Sequence, residues 1–422
     1  MQPKLDKRRL SQGELEIILD THARFVQRRP GGKRASLRFV DLSGLDLSGR
    51  ELTEADLSGS NFDNCLMTRA RLERANLFGC SMRGADLRWA AMARADLRGV
   101  SLRGANLAQA DLTEADFRGG QIGVAHADRG LDLRRGDNGD VGLDNANFSG
   151  ATLDRSQLNN VSACAADFSD CSMRGAILSG AKLNDADFSG AMLDGASVTG
   201  ATLDRANFTG ATLCGVDVGK ARSSKDADMT GCLQEPGPEV IAKALKYLEE
   251  ARINHEWCES GGRHGAPAKL DGADLRPLGS SLRGLRLSGL SVKGACMVGL
   301  DLSETQLQGA FLEGADMRGV RLRNADLRGV RMTGANLTKA DLTDACLAAL
   351  PLGGSRTTPA VLVRTRMRYA TLCGADLSGA SIETADLRFA DLTGAKVWRT
   401  SFKDSALQSV RGLDLGVEAD DR

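Results

Sequence analysis

Aromatic residues make up only 4% of this 422-residue chain, and proline occurs eight times. A core without large rings must fill its space in another way, and a regular stack of small and medium aliphatics is one. The sequence has no run of eighteen apolar residues, so it holds no transmembrane helix. Its start, MQPKLDKRRLSQ, is charged and lacks the apolar stretch of a secretory signal. Excess charge is missing too, since 55 basic and 55 acidic residues cancel. That excludes a global electrostatic grip on nucleic acid, and equally a wholesale imitation of it. Ten cysteines include no CxxC pair and no zinc spacing. A reduced, cytoplasmic setting is the expectation.

What the sequence has is a period of five. From Leu37 to Ile122 every fifth residue is bulky and apolar: Leu42, Leu47, Leu52, Leu57, Phe62, Met67, Leu72 and onward. The register slips by one after Ile122, resumes from Leu143 to Val218, and returns from Leu282 to Leu407. Two residues before each centre sits a small one, such as Ala55, Ala70, Ala75 or Cys65. Positions two apart on an extended segment point to one side, so both face inward and the other three face out. Asp or Asn often precedes the centre and Gly often falls two after it, which suits a tight corner. Each unit is a short strand plus a corner. Phe148, Phe168, Phe188 and Phe208 recur in the same context at intervals of 20. Rings stacked at the interstrand spacing explain that interval, and 20 residues are four units. The coil is therefore expected to be four-sided, with these four rings as a core ladder.

Units of this form, A(D/N)LXX, resemble the signature of the pentapeptide-repeat family. The resemblance implies an all-β solenoid, a right-handed quadrilateral β-helix. Some members of that family resemble duplex DNA and bind DNA gyrase or another type II topoisomerase. This chain lacks the strong charge excess such mimicry needs, and the aromatic C-terminal helix through which gyrase-protecting members dimerise.

Two segments outside the repeats read as helices. One runs from about Ser11 to Arg28, opened by a Ser11–Glu14 capping box, with Leu15, Ile18, Leu19, His22 and Phe25 on one face. The other runs from about Pro238 to Glu259, with Ile241, Leu245, Leu248, Ala251 and His255 as its stripe and Val240 and Ala244 as further candidates for it. A constant offset of 233 relates Leu15 to Leu248, His22 to His255, Gly32 to Gly265, Ala35 to Ala268 and Leu42 to Leu275. This indicates an internal duplication of helix, glycine-rich link and β-helix. Two β-helices are expected, each preceded by a capping helix held through His22 and Phe25 or through His255 and Leu248. The boundaries read as 1–34 for helix and basic link, 35–232 for the first β-helix, 233–269 for the second helix and link, 270–412 for the second β-helix, and 413–422 for an acidic tail. Within them, 123–142 reads as a degenerate coil with a bulge or short loop. The stretch 351–366 reads as irregular, replacing about two units.

A coil packed with Leu and Ala leaves no interior pocket, so any site must lie outside. No phosphate loop, nucleophile elbow or metal-ligand spacing occurs. His126 and Asp128 read as a solvated turn. The expectation is no enzyme, no cofactor and no metal. Residues 1–40 carry ten basic and four acidic groups. Arg24, Arg28, Arg29, Lys33, Arg34 and Arg38 form a candidate interaction patch there. The reading is a protein-interaction scaffold for an unknown protein partner, with self-association through the β-helix ends as a further possibility. The alternative is a DNA-mimic-type modulator of gyrase or another type II topoisomerase.

Overall fold

The computed structural model describes residues 7–126, 130–135, 141–354 and 356–413. Asp128 and the acidic tail beyond Leu413 lie outside them, as does the side chain of His126. The chain divides into two compact units, Met1–Glu235 and Pro236–Arg422.

In unit 1, Ser36 pairs in parallel with Asp56, Asp56 with Asn76, Asn76 with Asp96 and Asp96 with Asp116. Three more ladders with the same step start at Asp41, Asp46 and Glu51. One coil is therefore 20 residues with four ladders. Each unit contributes a single bridge residue and hydrogen-bonds to both neighbouring coils. The Leu37 amide donates to the Asp56 carbonyl at 2.8 Å, and the Asp56 amide returns to the Ala35 carbonyl at 3.0 Å. At the corner, Asp41 Oδ1 accepts from the Ser43 amide and Asp46 Oδ1 from the Ser48 amide. The next residue is left-handed, whether it is Gly44 (φ 74°), Glu54 (φ 62°) or Asn64 (φ 57°).

The centres Leu42, Leu47, Leu52, Leu57 and Phe62 are fully buried. Phe148, Phe168, Phe188 and Phe208 stack with ring centroids 5.0, 5.0 and 4.8 Å apart. Hydrogen-bonded strands impose that spacing, and flat rings fill it. The small inward slot tolerates a hydroxyl or thiol because a carbonyl of the previous coil waits beside it. Ser60 Oγ donates to the Leu37 carbonyl, and Cys65, Cys80 and Cys171 Sγ donate to those of Leu42, Leu57 and Phe148.

The first irregular segment is not a coil. Ser101 bridges to Gly142 and Asp116 to Gln157, so consecutive coils meet with partners 41 positions apart. The extra residues leave as an antiparallel hairpin, β3 (Gln121–His126) with β4 (Gly130–Arg135). Ile122 thus lies in a hairpin strand, outside the ladders. In unit 2, Arg331 bridges to Val361 and Cys346 to Asp376, a step of 30 in place of 20. Residues here are added to the coil and replace none of it. They form a second small hairpin, β5 (Leu350–Pro351) with β6 (Thr357–Thr358), and Leu352 stands exposed. Arg366, placed by the sequence within the irregular stretch, is back in a ladder with Asn336.

Before the coils of unit 1, β1 (Arg8–Arg9) pairs in parallel with β2 (Val40–Asp41). Helix α1 (Gln12–Val26) follows, opened by the Ser11–Glu14 capping box. Its Leu15, Leu19 and His22 are buried, and Leu15 and Leu19 join the same apolar cluster as Leu37 and Leu42. His22 Nδ1 accepts from the Ala35 amide at 3.1 Å, tying the helix to the first coil. Phe25 does not join the core. It is 37% exposed and stacks on His22 at 5.9 Å.

Helix α2 (Pro238–Glu259) of unit 2 buries Ala244, Ala251 and Asn254. The expected stripe holds only in part: Ala251 and Ala244 are buried and Leu248 packs against the core, but Ile241 is 51% and Leu245 72% exposed. The partner of Ala268 is Asn254, whose Oδ1 accepts from that amide at 3.1 Å. Asn254, not His255, therefore does the work of His22. The helix is shifted by one residue relative to the constant offset, which turns the stripe by about 100°. His255 Nδ1 accepts instead from the Arg286 amide at 2.9 Å. The offset of 233 does hold at the links, from Gly32 and Gly265 to the start of each first coil. A Cβ on Gly32 would lie 2.4 Å from the Phe25 amide nitrogen, and one on Gly265 would lie 2.3 Å from the Ile253 carbonyl oxygen. Each link passes too close to its helix for any side chain.

Two outcomes follow. Phe168→Ala opens a gap between two rings that cannot collapse without breaking the ladders, so urea denaturation should show a loss of about 3–5 kcal/mol. Burial holds His22 neutral by pushing its pKa below the ordinary histidine value. The unfolded chain then binds the extra proton first, and stability falls as pH drops below about 6.5. His22→Asn should fold, because Asn254 makes the same bond, and should show a smaller fall in melting temperature between pH 7 and pH 5.

Candidate interaction surfaces

The coil interiors offer no chemistry. Burial pushes the Cys65 thiol up to about 11 and the Cys80 thiol to about 12, so neither forms a thiolate at neutral pH. Of the outer thiols, Cys296 and Cys373 are also raised, chiefly by desolvation. Among the described residues no group of His, Cys, Asp or Glu could hold a metal ion, and no helix is long and apolar enough to cross a membrane. What the fold does build is ordered outer surface, because each ladder lines up every twentieth side chain.

In unit 1 one such face runs along Asn147, Asp167, Asp187, Asn207 and Asp228. With Asp170 beside it, this face carries four carboxylates and no Lys or Arg, its remaining outward residues being Ser, Thr, Asn and Gly. Asp187 Oδ1 accepts from the Ser189 amide and from Asn207 Nδ2. Hydrogen bonds to Thr230 hold the Asp228 carboxyl below the usual carboxylate range, so it stays charged. The adjoining ladders carry Lys182 and Arg205 on one side and Arg155 and Arg174 on the other.

In unit 2 a face of opposite sign runs along Asp274, Cys296, Asp316, Asn336, Arg366 and Asp386. Arg276, Arg318 and Arg388 each clamp the aspartate two residues earlier at 2.6–2.7 Å. With Lys339, Arg366 and Arg368 the face is net positive, and Arg368 also lies 4.0 Å from Asp386. Arg368 lies 5.0 Å over the Tyr369 ring and donates to its hydroxyl at 3.0 Å, while Tyr369 stacks on Phe389 at 5.3 Å. Sequence reasoning missed this cluster, although the 20-residue interval between the two rings was a visible signal.

The basic patch of the first 40 residues is spread out. Arg24, Arg28, Arg29, Lys33, Arg34 and Arg38 are all exposed. Arg34 Nε donates to the Glu54 carbonyl and Arg38 lies 3.6 Å from Asp56, so two of the six are tied to the first coils. His22 is buried and serves the helix joint.

A family model described as pentapeptide repeats matches residues 33–69, 55–92, 80–119, 143–180, 181–218, 286–324, 295–334, 315–348 and 360–399, more than half of the chain. Among solved structures, the pentapeptide-repeat protein Rfr23 from the cyanobacterium Cyanothece 51142 is 21% identical, covering 30% of this chain and 90% of its own, at a TM-score of 0.20. HetL, from the cyanobacterium Nostoc sp. strain PCC 7120 and involved in heterocyst differentiation regulation, is 19% identical over 91% and 94%, at a TM-score of 0.15. A trypsin-treated form of QnrB1, a plasmid-mediated fluoroquinolone resistance protein, is 19% identical over 51% and 98%, at a TM-score of 0.22. No curated protein matches this chain. Assignment rests on the repeat model and on the 20-residue ladders, which have the same origin in the five-residue unit: the chain is a right-handed β-helix solenoid and belongs to the pentapeptide-repeat family.

Proposed function

We propose that this chain is a non-enzymatic scaffold that presents the outer faces of two quadrilateral β-helices to a partner protein. The supporting observation is the contrast between inside and outside. Inward positions are apolar and closed, while the faces carry ordered stripes, acidic along Asn147 to Asp228 and basic along Lys339, Arg366 and Arg368. Stripes of this kind set partner choice and association rate through complementary charge. In this reading α1 and α2 cap the first coils, through His22 and Asn254. The boundaries drawn from the sequence and a cytoplasmic location belong with it. So does self-association through the last coil, where Trp398 is 66% exposed.

The acidic stripe favours a second reading, a DNA-mimic modulator of gyrase or another type II topoisomerase. Its charge density counts against that reading. The stripe has about one carboxylate per coil of about 4.8 Å, whereas duplex DNA has a charge per about 1.7 Å.

The test is capture from a bacterial lysate at low and high salt, with bound proteins identified by mass spectrometry. Wild type is compared with Asp167→Asn/Asp187→Asn and with Arg366→Ala/Arg368→Ala. The scaffold reading expects a stoichiometric partner lost in one face variant and retained in the other. Topoisomerase subunits lost with the acidic face and at high salt would put mimicry first. A captured set that both variants leave unchanged would sink both readings.

A further inference from the structure

The two units differ at one corresponding place. On the fourth side of the first coil, Glu51 is bridged to Arg71 in unit 1 and Arg286 to Gln306 in unit 2, whose first coil is two residues longer, Lys269 bridging to Ser291. In unit 1 the place is closed by its own charges. Arg71 lies 3.2 Å from Glu51 and 3.5 Å from Glu73, and Thr53 Oγ1 donates to Glu73 at 3.0 Å. In unit 2 the same positions hold Arg286, Gln306, Gln308 and Ser288. The cation has moved one rung, and both carboxylates are gone. Ser288 Oγ donates to Gln308 Oε1, and Gln308 Nε2 donates to Asp326. Among the described residues, the side chains of Arg286 and Gln306 make no hydrogen bond or ion pair.

The place is also open. A cleft of about 340 Å³ lies there, lined by Trp257, Cys258, Gly261 and Gly262 from the end of α2 and its link, and by Arg286, Ser288, Gln306 and Gln308 from the coils. The Arg286 amide, held by His255 Nδ1, fixes the backbone from which its guanidinium extends. Trp257 supplies an apolar wall, and a Cβ on Gly262 would lie 3.4 Å from its indole nitrogen.

We propose that this cleft binds a carboxylate side chain of an acidic segment in a partner protein. Arg286 and the Gln306 amide supply the donors, and Trp257 packs against the methylenes. The anion is assigned as a carboxylate because the corresponding place in unit 1 is filled by two of them around an arginine. A guanidinium with a free fork matches that group in shape and charge. The inference rests on the scaffold reading but names a site away from the acidic and basic stripes.

The probe is a fluorescein-labelled tetraglutamate peptide added to the full chain, read by anisotropy and by the indole resonances of 15N-labelled protein. A tetraglutamine peptide is the control. Binding is expected for tetraglutamate alone, with the largest shift at Trp257, assigned through Trp257→Phe. Arg286→Glu should weaken binding at least tenfold. Gln306→Glu should do the same while keeping Arg286, because it supplies the missing carboxylate from within. Both variants should melt like wild type, and the second keeps the test alive if the first misfolds. Absence of binding, equal binding by the variants, or shifts confined to Trp89 and Trp398 would overturn the site. Those results would leave the lysate comparison of the two stripes untouched, so the two readings can fail separately.

Discussion

Each coil must land on the one before it at the separation of hydrogen-bonded strands, and the rest of the molecule depends on that spacing. It explains why Phe148, Phe168, Phe188 and Phe208 stack flat, since a ring is thin enough to repeat at that interval. It explains why Leu and Ala fill the other columns, because any residue too large for the interval would push two coils apart along the whole rung. Nearly every backbone bond between coils also depends on it, so a local misfit breaks ladders on both sides. Stability is therefore spread along the solenoid in nearest-neighbour interfaces.

The same spacing governs how the chain may be interrupted. An insertion must leave at a corner and return to the rung it left. The hairpins at Gln121–Arg135 and Leu350–Thr358 do this, and Ser101 meets Gly142 as directly as Ser81 meets Ser101. The helices obey a related rule. Each has a buried polar side chain that accepts from the amide opening its first coil, His22 from Ala35 and Asn254 from Ala268. Two different side chains serve because the requirement is an acceptor at that point.

Outer surface is freed from the spacing rule, and there the two units part company. Ladders convert a 20-residue interval into a stripe, so one substitution per coil is enough to build a face of one sign. The acidic run along Asp167, Asp187 and Asp228, the clamped arginines around Asp274, Asp316 and Asp386, and the open Arg286 are variations on one backbone.

The five-residue period, the inward slots and both helices were legible in the sequence, because alternation along a strand and a 20-residue recurrence are local or periodic properties of the chain. The hairpin at 121–135 was not, since 21 extra residues equal one coil plus one, and only pairing partners distinguish an added coil from an excursion. The residue that answers to His22 in α2 was misplaced because a gapless offset set His255 against it. A shift of one residue turns a helix by about 100°, and only packing against the first coil chose Asn254. Composition and period determined that this chain would wind into a solenoid. Which charges cancel, which stripes keep one sign and where Arg286 meets no carboxylate depended on rungs that bring together residues 20, 21, 22, 30 or 41 apart, and only the folded coil sets those neighbours.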